Sequence, residues 1–122
     1  MNADTLLLRQ VHPSFVQQAR ITSQVFRPTP KDENLLSADN GDKISPFDSW
    51  KRFISNPSCL SAGVMAVSFA ETEKENLPVI EDGTPYPEHC SIDFCNLSGG
   101  EIAKKAKKLK NAAEERGWLH QV

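Results

Sequence analysis

The stretch that most constrains the fold is AGVMAVSF, at residues Ala62 to Phe69. Its side chains are mostly apolar on both faces of an extended chain, and they include β-branched valines. Buried strands span roughly four to eight residues, whereas helices usually need about ten or more, so an apolar run of this length favours a strand. We therefore predict that this segment is a strand at the centre of a sheet.

Two further strands are predicted on either side of this segment. The first is TLLLRQV, at Thr5 to Val11, which is rich in apolar residues and is ended by a His-Pro step. The second is HCSIDFC, at His89 to Cys95, which alternates so that Cys90, Ile92 and Phe94 share one face. That face is expected to be buried.

The remaining segments give weaker patterns. The sequence ITSQVF, at Ile21 to Phe26, has the β-branched and aromatic content of a strand. A turn-forming Asp-Asn-Gly-Asp segment indicates a short hairpin that pairs Leu35–Ser37 with Lys43–Ile44. The acidic, proline-containing stretch from Glu71 to Glu88 is interpreted as a surface excursion, and loops of that length often carry recognition.

Two helices are predicted from capping residues and apolar spacing. Ser45 is an N-cap before a proline, and the apolar spacing that follows predicts a helix from Pro46 to about Ser55. Ser98 begins a capping box for a second helix from about Gly99 to Arg116, and Gly117 supplies its end. These helices do not alternate regularly with the strands, which disfavours a parallel sheet.

Length and composition complete the expected architecture. A chain of 122 residues with 39% hydrophobic and 25% charged residues fits one domain, residues 1–122. We predict an α+β fold with a mixed or antiparallel sheet of about four to five strands and two helices. The net charge of −2 does not favour bulk attraction to nucleic acid. No leader-like or membrane-spanning stretch is recognisable, so a cytoplasmic protein without membrane contact is expected.

Standard catalytic and metal motifs are absent from the sequence. There is no P-loop, GxGxxG, HExxH, GxSxG or zinc ribbon, which disfavours the common nucleotide hydrolases, dehydrogenases and metalloproteases. His89 and Cys95 would face away from Cys90 on a strand, so these residues form a poor zinc site. Neither a metal nor a cofactor is expected, and Cys90 is interpreted as a small core residue.

Polar residues near the first two predicted strands are the best candidates for a binding site. Arg27 and Lys31 flank a rigid Pro-Thr-Pro segment and could hold a phosphate or carboxylate together. His12, Asp32 and His89 complete the candidate binding set. The alternative interpretation of the proline segment is a structural loop.

The order of Arg9, Ser37 and Glu88, with a helix and an apolar strand between the last two, resembles the Arg, Ser, Glu order of ADP-ribosyltransferases. In that family the arginine and serine help to hold NAD and the glutamate positions the reacting ribose. The resemblance covers Leu6 to Phe94 and would assign those three residues to one NAD-binding cleft. The Ser-Thr-Ser and Glu-x-Glu motifs of the family are not present.

Three functional hypotheses follow from these patterns. The leading one is a small protein-binding module without its own catalytic activity, such as an accessory subunit, inhibitor or immunity-type factor of bacterial or phage kind. The second is an NAD-binding enzyme similar to ADP-ribosyltransferases. The third is a nucleic-acid binder that uses the lysine-rich C-terminal helix, although its lysines spread around the non-core surface. Those lysines are Lys104, Lys105, Lys107, Lys108 and Lys110.

Overall fold

The computed structural model covers residues 1–122 and shows a six-stranded antiparallel sheet with helices on both faces. The strands in chain order are β1 (Leu6–Gln10), β2 (Val16–Gln17), β3 (Arg20–Ile21), β4 (Leu35–Asn40), β5 (Gly63–Ser68), β6 (Val79–Ile80), β7 (His89–Asp93) and β8 (His120–Gln121). The helices are α1 (Pro46–Ile54), α2 (Phe69–Lys74) and α3 (Gly99–Arg116), with 3₁₀ turns at Pro13–Phe15, Ser23–Phe26 and Pro30–Asp32.

The sheet order is β6-β7-β4-β1-β5-β8, and β2 and β3 form a separate hairpin. The predicted α+β class with an antiparallel sheet is confirmed, with more strands and one more helix than expected. None of the helices has the length and apolarity required to cross a bilayer.

The predicted strand within Ala62 to Phe69 is confirmed as β5, and all six of its residues are buried. It lies second from one edge of the sheet, between β1 and β8, and not in the middle. Its burial has a simple cause, because α3 packs on one face of β5 and α1 on the other. An apolar sequence on both faces is the expected composition for a strand covered on both sides.

Both predicted helices are confirmed, and their first turns show the expected caps. The Ser45 hydroxyl accepts a hydrogen bond from the Asp48 amide at 3.1 Å, which begins α1. In α3, Ser98 and Glu101 form a reciprocal capping box, and Gly117 ends the helix at a φ of 89°. Each cap satisfies amide groups that would otherwise have no partner in the helix.

The strand predicted at Ile21 to Phe26 is wrong beyond its first residue. Ile21 belongs to the two-residue β3, and Ser23–Phe26 is a 3₁₀ turn. Val25 and Phe26 are fully buried, and the turn packs against α3. The β-branched and aromatic residues therefore supply core volume through a turn, because burial and not strand pairing selects them here.

The predicted hairpin between Leu35–Ser37 and Lys43–Ile44 is also wrong. Residues Leu35 to Asn40 form β4, whose main partner is β7, which is distant in sequence. The amides of Lys43 and Ile44 instead both donate to the carbonyl of Asn40 in a tight turn. The predicted turn is present, but the chain continues from it into α1 and not into a second strand of a hairpin.

The surface excursion predicted from Glu71 to Glu88 is only partly correct. Glu71 lies in α2, which begins with a capping box on Ser68, and Val79–Ile80 forms the edge strand β6. Residues 75–78 and 81–88 are irregular, and the second of these segments is a loop that returns to β7. A six-residue helix and a two-residue strand are too short to leave a periodic pattern in sequence.

Candidate ligand-binding cleft

The two middle strands of the sheet separate along their length. The ladder between β1 and β4 holds only two pairs, Leu7 with Asn40 and Leu8 with Asp39. In contrast, the β1–β5 and β4–β7 ladders each hold five pairs. The sheet is therefore split between the C-terminal half of β1 and the N-terminal half of β4, and a cleft opens over the split.

The cleft has a volume of about 630 Å³ and is bordered by β1, β4, the start of β7, α1 and the loop that follows α1. Its rim carries three large side chains that are exposed to solvent, Phe53 (36% exposed), Leu60 (55%) and Tyr86 (43%). Binding sites for small molecules usually have volumes of about 300–1,000 Å³ and combine apolar walls with a few polar groups. The size and lining of this cleft fit that description.

Arg9 lies in the split and replaces part of the missing strand pairing. Its Nε donates to the carbonyl of Val25 at 2.9 Å and one Nη donates to the carbonyl of Ser37 at 2.8 Å. Burial lowers the pKa of Arg9 to about 10, so the guanidinium still carries its charge at neutral pH. None of the ion pairs in the structure involves Arg9. The floor of the cleft therefore holds a cation without a carboxylate partner.

Arg52, on α1, shows the opposite situation. Its Nη2 lies 2.7 Å from a carboxylate oxygen of Asp39, and its Nη1 contacts the carboxylate of Glu88. The guanidinium carbon also lies 3.9 Å from the centre of the Tyr86 ring. Two carboxylates neutralise Arg52, and its contacts hold α1, β4 and the 81–88 loop together at one wall of the cleft.

A chain of side-chain hydrogen bonds continues from Asp39 into the sheet. The Ser49 hydroxyl donates to Asp39 at 2.6 Å, and the Gln10 amide donates to Ser49 at 3.0 Å. The Ser61 hydroxyl then donates to the Gln10 carbonyl oxygen at 2.8 Å. Ser49 is almost completely buried, and its hydroxyl both donates and accepts a hydrogen bond, as buried polar groups usually do. These bonds give the cleft a fixed polar wall.

His89 stands at the start of β7 and is held by a carboxylate. Its Nδ1 lies 2.6 Å from Asp82, and the second oxygen of Asp82 accepts a hydrogen bond from the Ser91 hydroxyl at 2.8 Å. Burial alone raises the pKa of Asp82, but the hydrogen bonds from His89 and Ser91 outweigh it and bring that pKa below its usual value. Asp82 is therefore ionised at neutral pH, and it fixes the orientation of the imidazole.

His12 borders the opposite side of the split, two residues after the end of β1. Its Nδ1 accepts a hydrogen bond from the Ser14 amide at 3.0 Å and caps the 3₁₀ turn that follows. The ring lies 5.8 Å from that of Phe15, centre to centre. The Nε2 atom makes no hydrogen bond within the protein, and the residue is exposed.

The structure brings several predicted site residues together and leaves others apart. Residues Arg9, His12, Ser37 and His89 border the cleft, and Glu88 is tied to it through Arg52. Ser37 contributes its backbone carbonyl to Arg9 while its side chain is exposed. Three other predicted residues lie outside the cleft on exposed chain: Arg27, Lys31 and Asp32.

Several polar residues in and beside the cleft were not recognised from the sequence, among them Asp39, Arg52, Asp82 and Tyr86. Arg52 and Asp39 are 13 residues apart, and His89 and Asp82 are seven apart on a loop and a strand. No local spacing rule joins such pairs, because Arg52 meets Asp39 only when α1 packs on the sheet, and Asp82 meets His89 only when the 81–88 loop folds back onto β7. The apolar stripe of α1 gave no signal either, because at about 100° per residue Arg52 lies almost opposite Phe47, Trp50 and Ile54.

The cysteines and lysines occupy other environments. Cys90 is a buried core residue, as predicted, and burial, followed by the nearby Asp39 and Asp82, raises the pKa of its thiol to about 12. Cys59 borders the cleft. Acidic residues lie close enough to pair with Lys108 and Lys110 on α3. No group of three or more His, Cys, Asp or Glu side chains is arranged to hold a metal ion.

No protein-family model, curated protein or solved structure matches the chain. The chemistry of the cleft is therefore interpreted from its own residues.

Proposed function

We propose that the protein is a small binding protein whose cleft holds an anionic molecule through Arg9. The observation that carries the proposal is the charged guanidinium in the split of the sheet without a carboxylate partner. A guanidinium has five N–H donors, and protein carbonyls accept from two of those of Arg9. A partly buried cation is costly unless it is paired, and a phosphate or carboxylate on the ligand would supply the missing charge.

The rim of the cleft supports a ligand that also carries a flat ring. Arg52 covers one face of Tyr86, and the ring remains 43% exposed. Phe53 and Leu60 add apolar surface on the side of α1. Aromatic stacking on such a surface adds about 0.5–1.5 kcal/mol beyond simple burial. A nucleotide combines a flat ring with a phosphate, and it belongs to the size class that the cleft admits.

NAD is the second candidate ligand, and it is favoured by a specific observation. The three residues that resemble the ADP-ribosyltransferase order lie around one cleft, since Arg9 contacts the Ser37 carbonyl and Glu88 contacts Arg52 beside it. The carboxylate of Glu88 is occupied by Arg52, so it would have to release that partner before it could contact a ribose. We therefore rank NAD below a simpler nucleotide.

The other hypotheses remain predictions. A protein partner was inferred partly from the supposed Glu71 to Glu88 excursion, much of which is α2 and β6. A nucleic acid bound to α3 would have to compete for Lys108 and Lys110 with the acidic residues that lie beside them. We also propose a reducing compartment such as the cytosol, because all three cysteines are free thiols.

Thermal unfolding with and without ligand tests the proposal. The main probe is cyclic AMP, which has a flat ring and one negative charge. Adenosine, inorganic phosphate and NAD are the comparison ligands. At about 100 times the dissociation constant a ligand adds about 2.7 kcal/mol of stability, which is visible as a raised melting temperature. We expect cyclic AMP to raise it more than adenosine does.

Variants at two arginines locate the site. Arg9→Met should abolish the shift with cyclic AMP, and Arg27→Met, which alters an exposed arginine outside the cleft, should leave it unchanged. Arg9→Lys keeps the charge without the fork of donors and should weaken binding less than Arg9→Met. If cyclic AMP does not stabilise the native protein, or if Arg9→Met binds it equally well, the proposal is wrong.

A further inference from the structure

The two histidines at the cleft present opposite hydrogen-bonding states to a ligand. Asp82 is ionised and can only accept, so the Nδ1 of His89 must carry the hydrogen of their 2.6 Å contact. In the neutral ring the lone pair then lies on Nε2. No protein group bonds to that nitrogen, and His89 borders the cleft. His89 therefore offers the ligand a proton acceptor in a fixed orientation.

His12 shows the reverse arrangement. A backbone amide can only donate, so the bond from the Ser14 amide requires a lone pair on Nδ1 of His12. The hydrogen of the neutral ring is consequently on Nε2. His12 therefore presents a donor, and like Arg9 it borders the cleft.

We propose that this cleft hydrolyses a phosphodiester, with His89 as the general base and with Arg9 and His12 as donors to the phosphate. This inference rests on the proposed anion site and adds a reaction to it. A diester matches the site in charge, because it carries one negative charge and Arg9 is the one cation of the cleft floor without a carboxylate. An aromatic group on the substrate would contact Tyr86.

The proton and the bonds balance in one displacement. A water molecule beside His89 gives a proton to Nε2 while its oxygen forms a bond to phosphorus. The bond from phosphorus to one ester oxygen breaks, and that oxygen leaves with the electron pair. Arg9 and His12 stabilise the negative charge on the remaining phosphate oxygens. His89 then returns its proton to solvent.

Asp82 acts as a positioning residue, because it sets which ring nitrogen of His89 is free. A carboxylate that orients a catalytic imidazole also stabilises the imidazolium formed during the reaction. The other charged and titratable groups near His89 come from β4, α1 and the 81–88 loop. They are Asp39, Arg52, Tyr86 and Glu88.

The experiment measures release of p-nitrophenolate from bis(p-nitrophenyl) phosphate by the full chain at several pH values. The rate should be highest where the general base is unprotonated, because only that form can accept a proton from water. His89→Gln should lower kcat by about 100-fold or more, which is the usual contribution of a general base. His120→Gln is the matched control, because His120 packs between Phe47 and Trp50 away from the cleft, and it should leave kcat unchanged.

The variant Asp82→Asn tests whether Asp82 positions the His89 ring or only stabilises the folded protein. It should lower kcat and move the inflection of the pH profile to lower pH, since the imidazolium loses its carboxylate. A purely structural role would lower the amount of active protein without moving the inflection. Absence of hydrolysis by the native chain, or equal hydrolysis by His89→Gln, would overturn the inference. If cyclic AMP still binds although one of these two results is found, the proposed binding function stands and only the proposed hydrolysis is wrong.

Discussion

The two faces of the sheet have different compositions. The face under α3 carries the larger apolar cluster, with 17 buried residues that include Phe26 and Phe94. The face under α1 has a cluster of three buried apolar residues, Leu8, Val64 and Ala66, and beside it the polar wall of the cleft. The difference indicates that one face provides most of the stability, and the other uses polar contacts to shape a site.

The split between β1 and β4 connects the two faces of the sheet. Strand pairing could have continued past Leu8 and Asp39, but Arg9 takes the carbonyl of Ser37 that a neighbouring strand would otherwise use. The guanidinium of Arg9 takes the place of the backbone amide that would donate to this carbonyl in a continued ladder. At the polar wall Asp39 and Arg52 pair with each other, whereas Arg9 has no carboxylate partner and is therefore the group that requires a ligand.

The largest expected effect tests the stability of the α3 face. Phe94→Ala should lower the free energy of unfolding by about 3–5 kcal/mol, because Phe94 is fully buried and its removal leaves a cavity. Urea denaturation measures the loss. Phe53→Ala at the cleft rim is the matched control and should cost less than about 1.5 kcal/mol, since the ring already meets water. Equal losses at both positions would remove the distinction between the faces.

The second prediction concerns the polar wall. Asp39→Asn should lower the free energy of unfolding by about 1–3 kcal/mol, since it removes the charge that faces Arg52 and weakens the bond from Ser49. The same variant should weaken binding of cyclic AMP, because Arg52 and α1 would be less firmly placed. Urea denaturation and ligand titration measure the two effects. Asp32→Asn, on exposed chain, should change stability by about 0.5 kcal/mol or less.

The same contrast explains what the sequence could predict. β5, α1 and α3 were recognised because apolar periodicity and caps are local features of consecutive residues. Phe94 could be assigned to the core because the alternation from His89 to Cys95 is also local. The 3₁₀ turn at Ser23–Phe26 was mistaken for a strand because its apolar content reflects burial under α3.

The site was only partly predictable for a related reason. Arg9 and His89 were noticed as residue types, but their chemistry depends on partners that come from other elements. Asp82 reaches His89 only after the 81–88 loop folds back, and the split that holds Arg9 exists only when β4 has paired with β7. Contacts of this kind leave no spacing in the sequence.

A third prediction tests how the edge strand β8 is held against β5. Gly63 has a φ of 150°, and a Cβ at this position would lie 2.2 Å from the backbone carbonyl of His120 in β8. Gly63→Ala should therefore detach β8 and cost more than about 1 kcal/mol. Faster hydrogen exchange at the Leu119 amide, which donates to Val64, would report the detachment. Gly100→Ala meets no atom within 4 Å and should not destabilise the protein.

The smallest effect concerns the outer surface of α3. Hydrogen bonds from Arg20 and then from Lys110 lower the pKa of Glu114 to about 2, from a usual value of 4.5. A lowered pKa means that the ionised carboxylate stabilises the folded state above pH 4.5, and that this contribution is lost as the pH falls towards 2. Its size should be about 1 kcal/mol or less, because Arg20 is 71% exposed and water screens the pair.

Acid titration of Glu114→Gln measures this contribution. The variant should be less stable than the native chain at pH 6, and the two should converge as the pH falls below 2, where Glu114 becomes protonated in both states. Glu115→Gln, at an exposed position outside any ion pair, is the control and should match the native chain throughout. A pH-independent difference for Glu114→Gln would mean that packing, and not charge, joins β3 to α3. In that case apolar contacts would stabilise the outer surface of α3 as well as the core beneath the helix.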